Sequence, residues 1–167
     1  LGPKSSLGNF YLGPFFYYLI TPVILLFPKN PVAPAIFIAL LDSFTSVILF
    51  IIGKKYLNRQ SGVMAAVLYA TSPLAIQFGS FAWNPNPVPL FTALLILVLI
   101  EYYHQQTTRN YILLSLVVII STQLHYQAVL FILPYFFVTL ITWSKHSLTR
   151  ILYSVIAGII AYLPFIY

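Results

Sequence analysis

Two short clusters hold the polar side chains of this sequence that are best suited to bind a ligand. One is WNPNP at residues 83–87, here called the corner, and the other is STQLHYQ at residues 121–127, here called the polar segment. An amide offers both donors and an acceptor, which suits sugar hydroxyls, and an imidazole can donate to a phosphate or carry a proton. The candidate substrate-binding residues of the two clusters are Trp83, Asn84, Asn86, Gln123, His125, Tyr126 and Gln127.

The corner is stiffened by proline, and two interpretations of it are open. Pro85 and Pro87 hold the backbone extended and stop the helices on either side. In the first interpretation the corner is only a rigid loop, and Trp83 anchors it at a membrane interface. In the second, the rigid backbone presents the amides of Asn84 and Asn86 to a polar ligand, since loops often carry function.

The polar segment lies where two short helices are expected to meet. Its polar side chains are either wetted at helix ends or in contact with a ligand. A polar group at membrane depth has to face a cavity or a partner, because hydrocarbon offers it no hydrogen bond. We favour ligand contact for this reason. His125 could donate a hydrogen bond to a phosphate, carry a proton or form a structural hydrogen bond.

Acidic residues are nearly absent, since the chain has only Asp42 and Glu101. Glu101 adjoins a polar loop and is expected to reach water there. Asp42 falls inside an apolar run, where an acid suggests a function, but the neighbouring Ser43 and Thr45 are typical of hydrogen bonds between helices. With scattered histidines, no cysteine and no paired carboxylates, the sequence indicates no cofactor and no metal site, and it leaves a divalent-metal requirement open.

The composition indicates that a bilayer surrounds the chain. Hydrophobic residues make up 60% of it and charged residues only 6%, with a mean hydropathy of +0.94. A soluble domain of this length needs more charge to cover its surface. The net charge of +6 comes from basic residues in short clusters between apolar runs, which is typical of cytoplasmic membrane loops and not of nucleic-acid binding.

The apolar runs predict an all-α fold, namely a polytopic bundle of transmembrane helices. The predicted spans cover about residues 32–52, 62–82, 87–103, 111–124, 126–143 and 151–167. Residues 1–31 are predicted to be an external segment with interfacial helices, because Pro14 and Pro22 interrupt its apolar run. Residues 1–167 show no repeat or linker, so we expect a single membrane-embedded domain that is a piece of a longer protein.

These spans distribute the basic residues unevenly across the membrane. The basic residues on one side are Lys54, Lys55, Arg59, Arg109, Lys145 and Arg150. Only Lys4 and Lys29 face the other side, so the first side is assigned to the cytoplasm. The corner, the polar segment and the external segment then share the extracytoplasmic side, where we expect them to wall a vestibule. Tyr17 and Tyr18 of the external segment are further candidate substrate-binding residues.

Several stretches resemble the multi-span GT-C glycosyltransferases. They are GPFFYYLITPVILLF, ALLDSFTSVILFIIGKKYLNRQSGVMAAVLYATSPLAI, FAWNPNPVPLF and QLHYQAVLFILP. In order and spacing they are similar to the bacterial and archaeal branch related to protein O-mannosyltransferases and to the RgtA/B/C/D-like domain. The resemblance covers nearly the whole chain and implies a GT-C-like, multi-pass helical bundle in the plasma membrane.

The resemblance also implies an activity, the transfer of a sugar from a polyprenyl-phosphate-linked donor to a protein, lipid or glycan acceptor on the extracytoplasmic face. The implied base is an acid of the first external loop, expected upstream of this piece, so no catalytic residue is assigned and Asp42 is not given that role. Relatives often carry Lys where His125 stands, which implies a phosphate or sugar contact. They often carry Lys or His at the position of Leu12, and an acid near Asn84 and Asn86.

Two other functions compete with this one. A transporter or flippase for a lipid-linked sugar or a small solute also uses broken helices, but it predicts inverted repeats and a polar site accessible from both sides. A non-catalytic membrane scaffold predicts that substitutions of the external amides are silent.

Overall fold

The structure is a computed structural model that describes residues 2–5, 8–145 and 147–166, with only the backbone of residues 164–166. Within these ranges the chain is helical and has no strand, so the all-α prediction is confirmed. The elements are α1 (Phe15–Leu26), α2 (Ala33–Tyr56), α3 (Arg59–Ala70), α4 (Pro73–Gly79), α5 (Val88–His104), α6 (Thr108–Leu124), a 3-10 helix (Tyr126–Phe131), α7 (Ile132–Ile141) and α8 (Ser147–Ile166).

Among the described residues, α2 is the helix that is long and apolar enough to cross a membrane. Helices α3 and α4 reach that length together, but they are bent by 58° at the break between them. The other apolar helices are shorter. By length and composition, one described helix could cross a membrane, or two if the bent pair counts as one span. The six spans expected from the sequence stay a prediction.

The segment over residues 62–82, expected to be one span, is the bent pair α3 and α4. Pro73 stands in the first turn of α4, where its missing N–H leaves no hydrogen bond unmade. The hydroxyl of Thr71 donates to Val67 O at 2.8 Å, and Ser72 N donates to Tyr69 O at 3.0 Å. The helix therefore stops and restarts within two residues, Thr71 and Ser72.

The chain divides into two compact units, the central unit (residues 17–94) and the terminal unit (residues 1–16 and 95–167). The central unit is built on the hairpin of α2 and α3. Gly53 and Gly62 lie at their contact, and a Cβ on Gly62 would stand 2.6 Å from the Phe50 carbonyl oxygen. The backbones of the two helices thus approach as closely as only glycine permits.

The turn of this hairpin is defined by helix-end chemistry. Lys54 and Lys55 occupy the last turn of α2, where positive charge offsets the helix dipole. The side-chain oxygen of Asn58 accepts a 2.8 Å hydrogen bond from Ser61 N and caps the start of α3. A basic, tight turn follows from these residues.

The terminal unit packs around α6, whose buried apolar residues include Leu114 and Val118. Hydroxyl groups join its helices. Tyr135 OH of α7 donates to Tyr111 OH at 2.8 Å, and Ser115 Oγ donates to Ser154 Oγ of α8 at 2.8 Å. Buried hydroxyls that bond each other remove the cost of placing them among apolar side chains.

Candidate functional site

The polar segment forms the end of α6 and the break that follows it. His125 has an extended backbone (φ −152°, ψ 139°), and its amide donates to Ser121 O at 3.1 Å, which closes the helix. The 3-10 helix starts at the next residue. Gln123, His125, Tyr126 and Gln127, all predicted from the sequence, are therefore brought together within the terminal unit.

The His125 imidazole is held by its neighbours. Its Nδ1 accepts a hydrogen bond from Gln127 N at 3.3 Å, and its ring centroid lies 4.3 Å from that of Tyr126. Partial burial lowers the pKa of His125 below its usual 6.5, because burial penalises the charged form. With Nδ1 as an acceptor, the neutral ring carries its proton on Nε2 and can donate it to a ligand oxygen.

Gln123 is 2% exposed, and its side chain bonds within the terminal unit. Its Nε2 donates to Ala161 O of α8 at 3.1 Å. Its side chain also fills the space where Gly13 lacks a Cβ. The Gln123 amide thus ties α6 to α8, whereas Gln127 is exposed and His125 is half-buried.

The corner in the central unit is closed by one of its own amides. Asn86 is 5% exposed, and its Nδ2 donates to Phe81 O at 2.7 Å. Asn86 N donates in turn to Trp83 O at 3.0 Å. The indole of Trp83 stacks on the Phe81 ring at 6.2 Å between centroids and remains 49% exposed. Among the corner residues that can form hydrogen bonds through their side chains, Trp83 and the partly buried Asn84 are thus more accessible than Asn86.

Tyr17 and Tyr18 lie near the start of α1, and both rings are exposed. They belong to the central unit, as the corner does. Pro22 stands inside α1.

An apolar groove of about 470 Å³ runs between α1 and α2 in the central unit. Its wall residues include Leu19, Val23 and Phe27 on one side and Ile36 and Leu40 on the other.

A second pocket of about 310 Å³ shares Phe27 and Asn30 with this groove and adds Lys29. The apolar groove therefore adjoins the basic side chain of Lys29, an arrangement complementary to a lipid with an anionic headgroup. Sequence reasoning placed Lys29 on the external side but did not place a groove beside it.

Asp42 has a partner that sequence reasoning missed. Tyr69 OH of α3 donates to Asp42 Oδ1 at 2.5 Å. The two residues are 27 positions apart, and the only sequence signal was a tyrosine just before the TSP break. In the part of the chain that the structure describes, no three His, Cys, Asp or Glu side chains gather where they could hold a metal ion.

The helical architecture and the comparison with known families define the chain as a glycosyltransferase of the GT-C type, a class of membrane proteins. More specifically, residues 12–167 match the family described as dolichyl-phosphate-mannose-protein mannosyltransferase, and the chain belongs to that family. No curated protein and no solved structure matches the chain significantly.

Proposed function

We propose that the chain is a multi-pass protein of the plasma membrane that transfers a sugar from a polyprenyl-phosphate-linked donor to an acceptor on the extracytoplasmic face. Family membership supports the glycosyl transfer. The family description names dolichyl phosphate mannose and protein, so mannose and a hydroxyl-bearing peptide are the first donor sugar and acceptor to test.

The observation that carries a lipid-linked donor is the groove between α1 and α2 that adjoins Lys29. The groove walls are apolar and offer few hydrogen bonds, so the groove accommodates a hydrocarbon chain better than a water-soluble nucleotide sugar, whose polar groups would be left without partners there. The ammonium of Lys29 attracts the phosphate at the head of that chain. A phosphate carrying a lipid is also a good leaving group, so the reaction needs no nucleotide.

His125 is proposed to contact the donor phosphate or sugar through its Nε2 proton, and Tyr126 and Gln127 are proposed to add contacts beside it. The exposed indole of Trp83 and the amide of Asn84 are proposed to contact sugar hydroxyls or a ring face.

The remaining candidates support the site more indirectly. Gln123 and Asn86 hold backbone carbonyls in place, and their proposed contribution to binding is to fix the segments that carry His125 and Trp83. Tyr17 and Tyr18 remain proposed contacts at the headgroup level of the membrane. No catalytic base is proposed among the described residues; Asp42 accepts a hydrogen bond from Tyr69 OH and is not given that role.

One observation favours a second function, a flippase for the lipid-linked sugar. Transporters often place a polar site at an interrupted helix, and α3 and α4 form such a break with Asp42 beside it. The two functions differ in whether the bond between sugar and phosphate is broken.

A single assay separates transfer, flipping and a scaffold. Proteoliposomes of the full-length natural protein receive dolichyl phosphate mannose labelled in the sugar, together with a hydroxyl-bearing peptide outside. Label that moves to the peptide supports transfer, whereas label that crosses the bilayer while still on the lipid supports flipping. If neither movement exceeds that of protein-free liposomes, the chain acts as a scaffold and the proposal fails.

The donor groove is tested in the same assay. Lys29→Gln should raise the KM for the donor, and Lys29→Arg should restore it because the charge is kept. Lys4→Gln, which removes the other predicted external basic charge, serves as the matched control. Equal KM values for the two glutamine variants would remove the groove from the proposal.

A further inference from the structure

The bend between α3 and α4 is fixed at its two ends by one side chain of α2. At the first end, Asp42 Oδ1 accepts the 2.5 Å hydrogen bond from Tyr69 OH, one residue before α3 ends. At the second end, Gly79 closes α4, and a Cβ on it would stand 3.1 Å from Asp42 Oδ2 and 3.4 Å from Asp42 Cβ. The same carboxylate therefore contacts both halves of the broken helix.

The second contact is closest when residue 79 is glycine. Gly79 is buried, and an added Cβ would be closer to the carboxylate than most Cβ contacts, so either Asp42 or α4 would have to move. The first contact depends on an acceptor at position 42, since Asp42 supplies the 2.5 Å hydrogen bond of the partly buried Tyr69 hydroxyl. The two requirements together restrain the angle at which α4 leaves α3.

The corner follows α4 directly. Ser80 N donates to Gln77 O, and the next residue, Phe81, receives the Asn86 amide on its carbonyl and the Trp83 indole on its ring. The position of Phe81 therefore sets where the corner and its indole lie. Every contact from Asp42 to Trp83 falls inside the central unit.

We propose that Asp42 is a positioning residue: through Tyr69 and Gly79 it sets the direction of α4, and through α4 it sets the placement of the corner at the substrate site. The inference rests on the proposed function insofar as the corner contacts substrate. It gives the acid inside the apolar run a role that is neither proton transfer nor metal binding.

The first test reads the placement of the corner without any turnover. The chain contains no cysteine, so Ala82→Cys, which replaces an exposed side chain beside the corner, introduces a single thiol. The rate of its reaction with a membrane-impermeant maleimide is compared in backgrounds that carry Asp42→Ala, Tyr69→Phe or Ser43→Ala. Ser43 is the matched control, because it is exposed on the same turn of α2 and its hydroxyl bonds only Ala39 O of its own helix.

We expect Asp42→Ala and Tyr69→Phe to change the labelling rate severalfold, and Ser43→Ala to leave it unchanged. Asp42→Asn keeps an oxygen acceptor for the tyrosine hydroxyl and should restore most of the original rate. Should Asp42→Ala not accumulate in the membrane, Tyr69→Phe, which removes only the hydroxyl, decides the question. An unchanged labelling rate in Tyr69→Phe overturns the inference.

The second test reads the substrate site in the proteoliposome assay. A positioning role predicts that Asp42→Ala raises the KM for dolichyl phosphate mannose by about tenfold, the equivalent of roughly one hydrogen bond, with Asp42→Asn close to the unsubstituted chain. Loss of kcat in Asp42→Asn at unchanged KM would instead assign Asp42 to proton transfer and overturn the inference. If the unsubstituted chain shows no transfer, the proposed function fails, while the labelling result still decides whether Asp42 places the corner.

Discussion

Ser115 of α6 and Ser154 of α8 share a 2.8 Å hydrogen bond between buried hydroxyls, 39 positions apart in the sequence. Ser115 Oγ also lies 2.8 Å from Tyr111 O of its own helix and 3.1 Å from Tyr135 OH of α7, so its single proton serves one of these contacts at a time. Three helices of the terminal unit thus meet at one hydroxyl. In an apolar environment such a junction is specific, because a displaced hydroxyl finds no water to replace its partner.

A double-mutant cycle on this pair should reveal coupling. Ser115→Ala and Ser154→Ala each remove one partner, and the double variant removes both without leaving an unpaired hydroxyl. We expect a coupling free energy of about 0.6 kcal/mol, the average for hydrogen bonds between helices in membranes. The free energy of unfolding in SDS–detergent mixtures measures it, with Thr92→Val, whose hydroxyl bonds only its own helix turn, as control. Strictly additive single effects would contradict the prediction.

The contact of α2 and α3 makes Gly62 intolerant of a side chain. A Cβ there would lie 2.6 Å from Phe50 O and 2.8 Å from Lys54 N, and backbone atoms move only with their helix. Gly62→Ala should therefore lower the free energy of unfolding by about 1–3 kcal/mol.

Gly158→Ala is the control for Gly62. Its Cβ would meet only the end of the Ile119 side chain, at 3.1 Å, which can rotate away. The gain in helix propensity, about 1 kcal/mol, then offsets the remaining strain. Equal stabilities of the two alanine variants would show that the hairpin is looser than its glycine contact indicates.

His125 gives the chain a predictable response to acid. Burial lowers its pKa in the folded state, so below pH 6.5 the unfolded chain binds a proton that the folded chain resists. Stability should be unaffected by this group above pH 6.5 and should fall as the pH drops from there toward the folded pKa. Thermal unfolding from about pH 7.5 to 5 should show a smaller loss of Tm in His125→Gln than in the unsubstituted chain. His104→Gln, at an exposed site, should keep the full loss; if it removes the loss instead, His125 is not the responsible group.

The corner should open when the Asn86 donor becomes an acceptor. In Asn86→Asp an oxygen faces the Phe81 carbonyl, so a 2.7 Å attraction becomes a repulsion. Trp83 should then leave the Phe81 ring and become more accessible to a water-soluble quencher. Tryptophan fluorescence measures this once Trp143 is replaced by phenylalanine, and Asn84→Asp controls for the added charge. Similar quenching in both aspartate variants would show that the Asn86 contact does not hold the corner.

The helices could be predicted from the sequence because apolar runs, and the polar or proline residues that end them, are local features of the chain. The run over residues 111–124 predicted a helix, and α6 covers Thr108–Leu124 with Thr107 as its cap. The polar segment around His125 likewise falls at a helix end, because it separates two apolar runs. The bend at Pro73 was not predicted, since a proline in the first turn of a new helix looks the same in sequence as one inside a span.

The sequence did not predict which amide side chains bond backbone carbonyls and which remain accessible. Asn84 and Asn86 have the same side chain two positions apart, yet only the tertiary path of the chain brings Phe81 O to the Asn86 amide. Gln123 is committed in the same way by Ala161 O, 38 positions away. The tie between Asp42 and Tyr69 is also long in sequence. Distant pairings of this kind depend on how helices pack, which the hydrophobic pattern alone leaves undetermined.

The tight turn at Asn58 has a consequence for biogenesis. Helices α2 and α3 are separated by only Leu57 and Asn58, and their glycine contact joins residues nine positions apart (62 − 53). Such short-range partners find each other early, before a growing chain has supplied more distant ones. This pair can therefore form as a unit early in synthesis, and the helices made afterwards pack against a surface that is already in place.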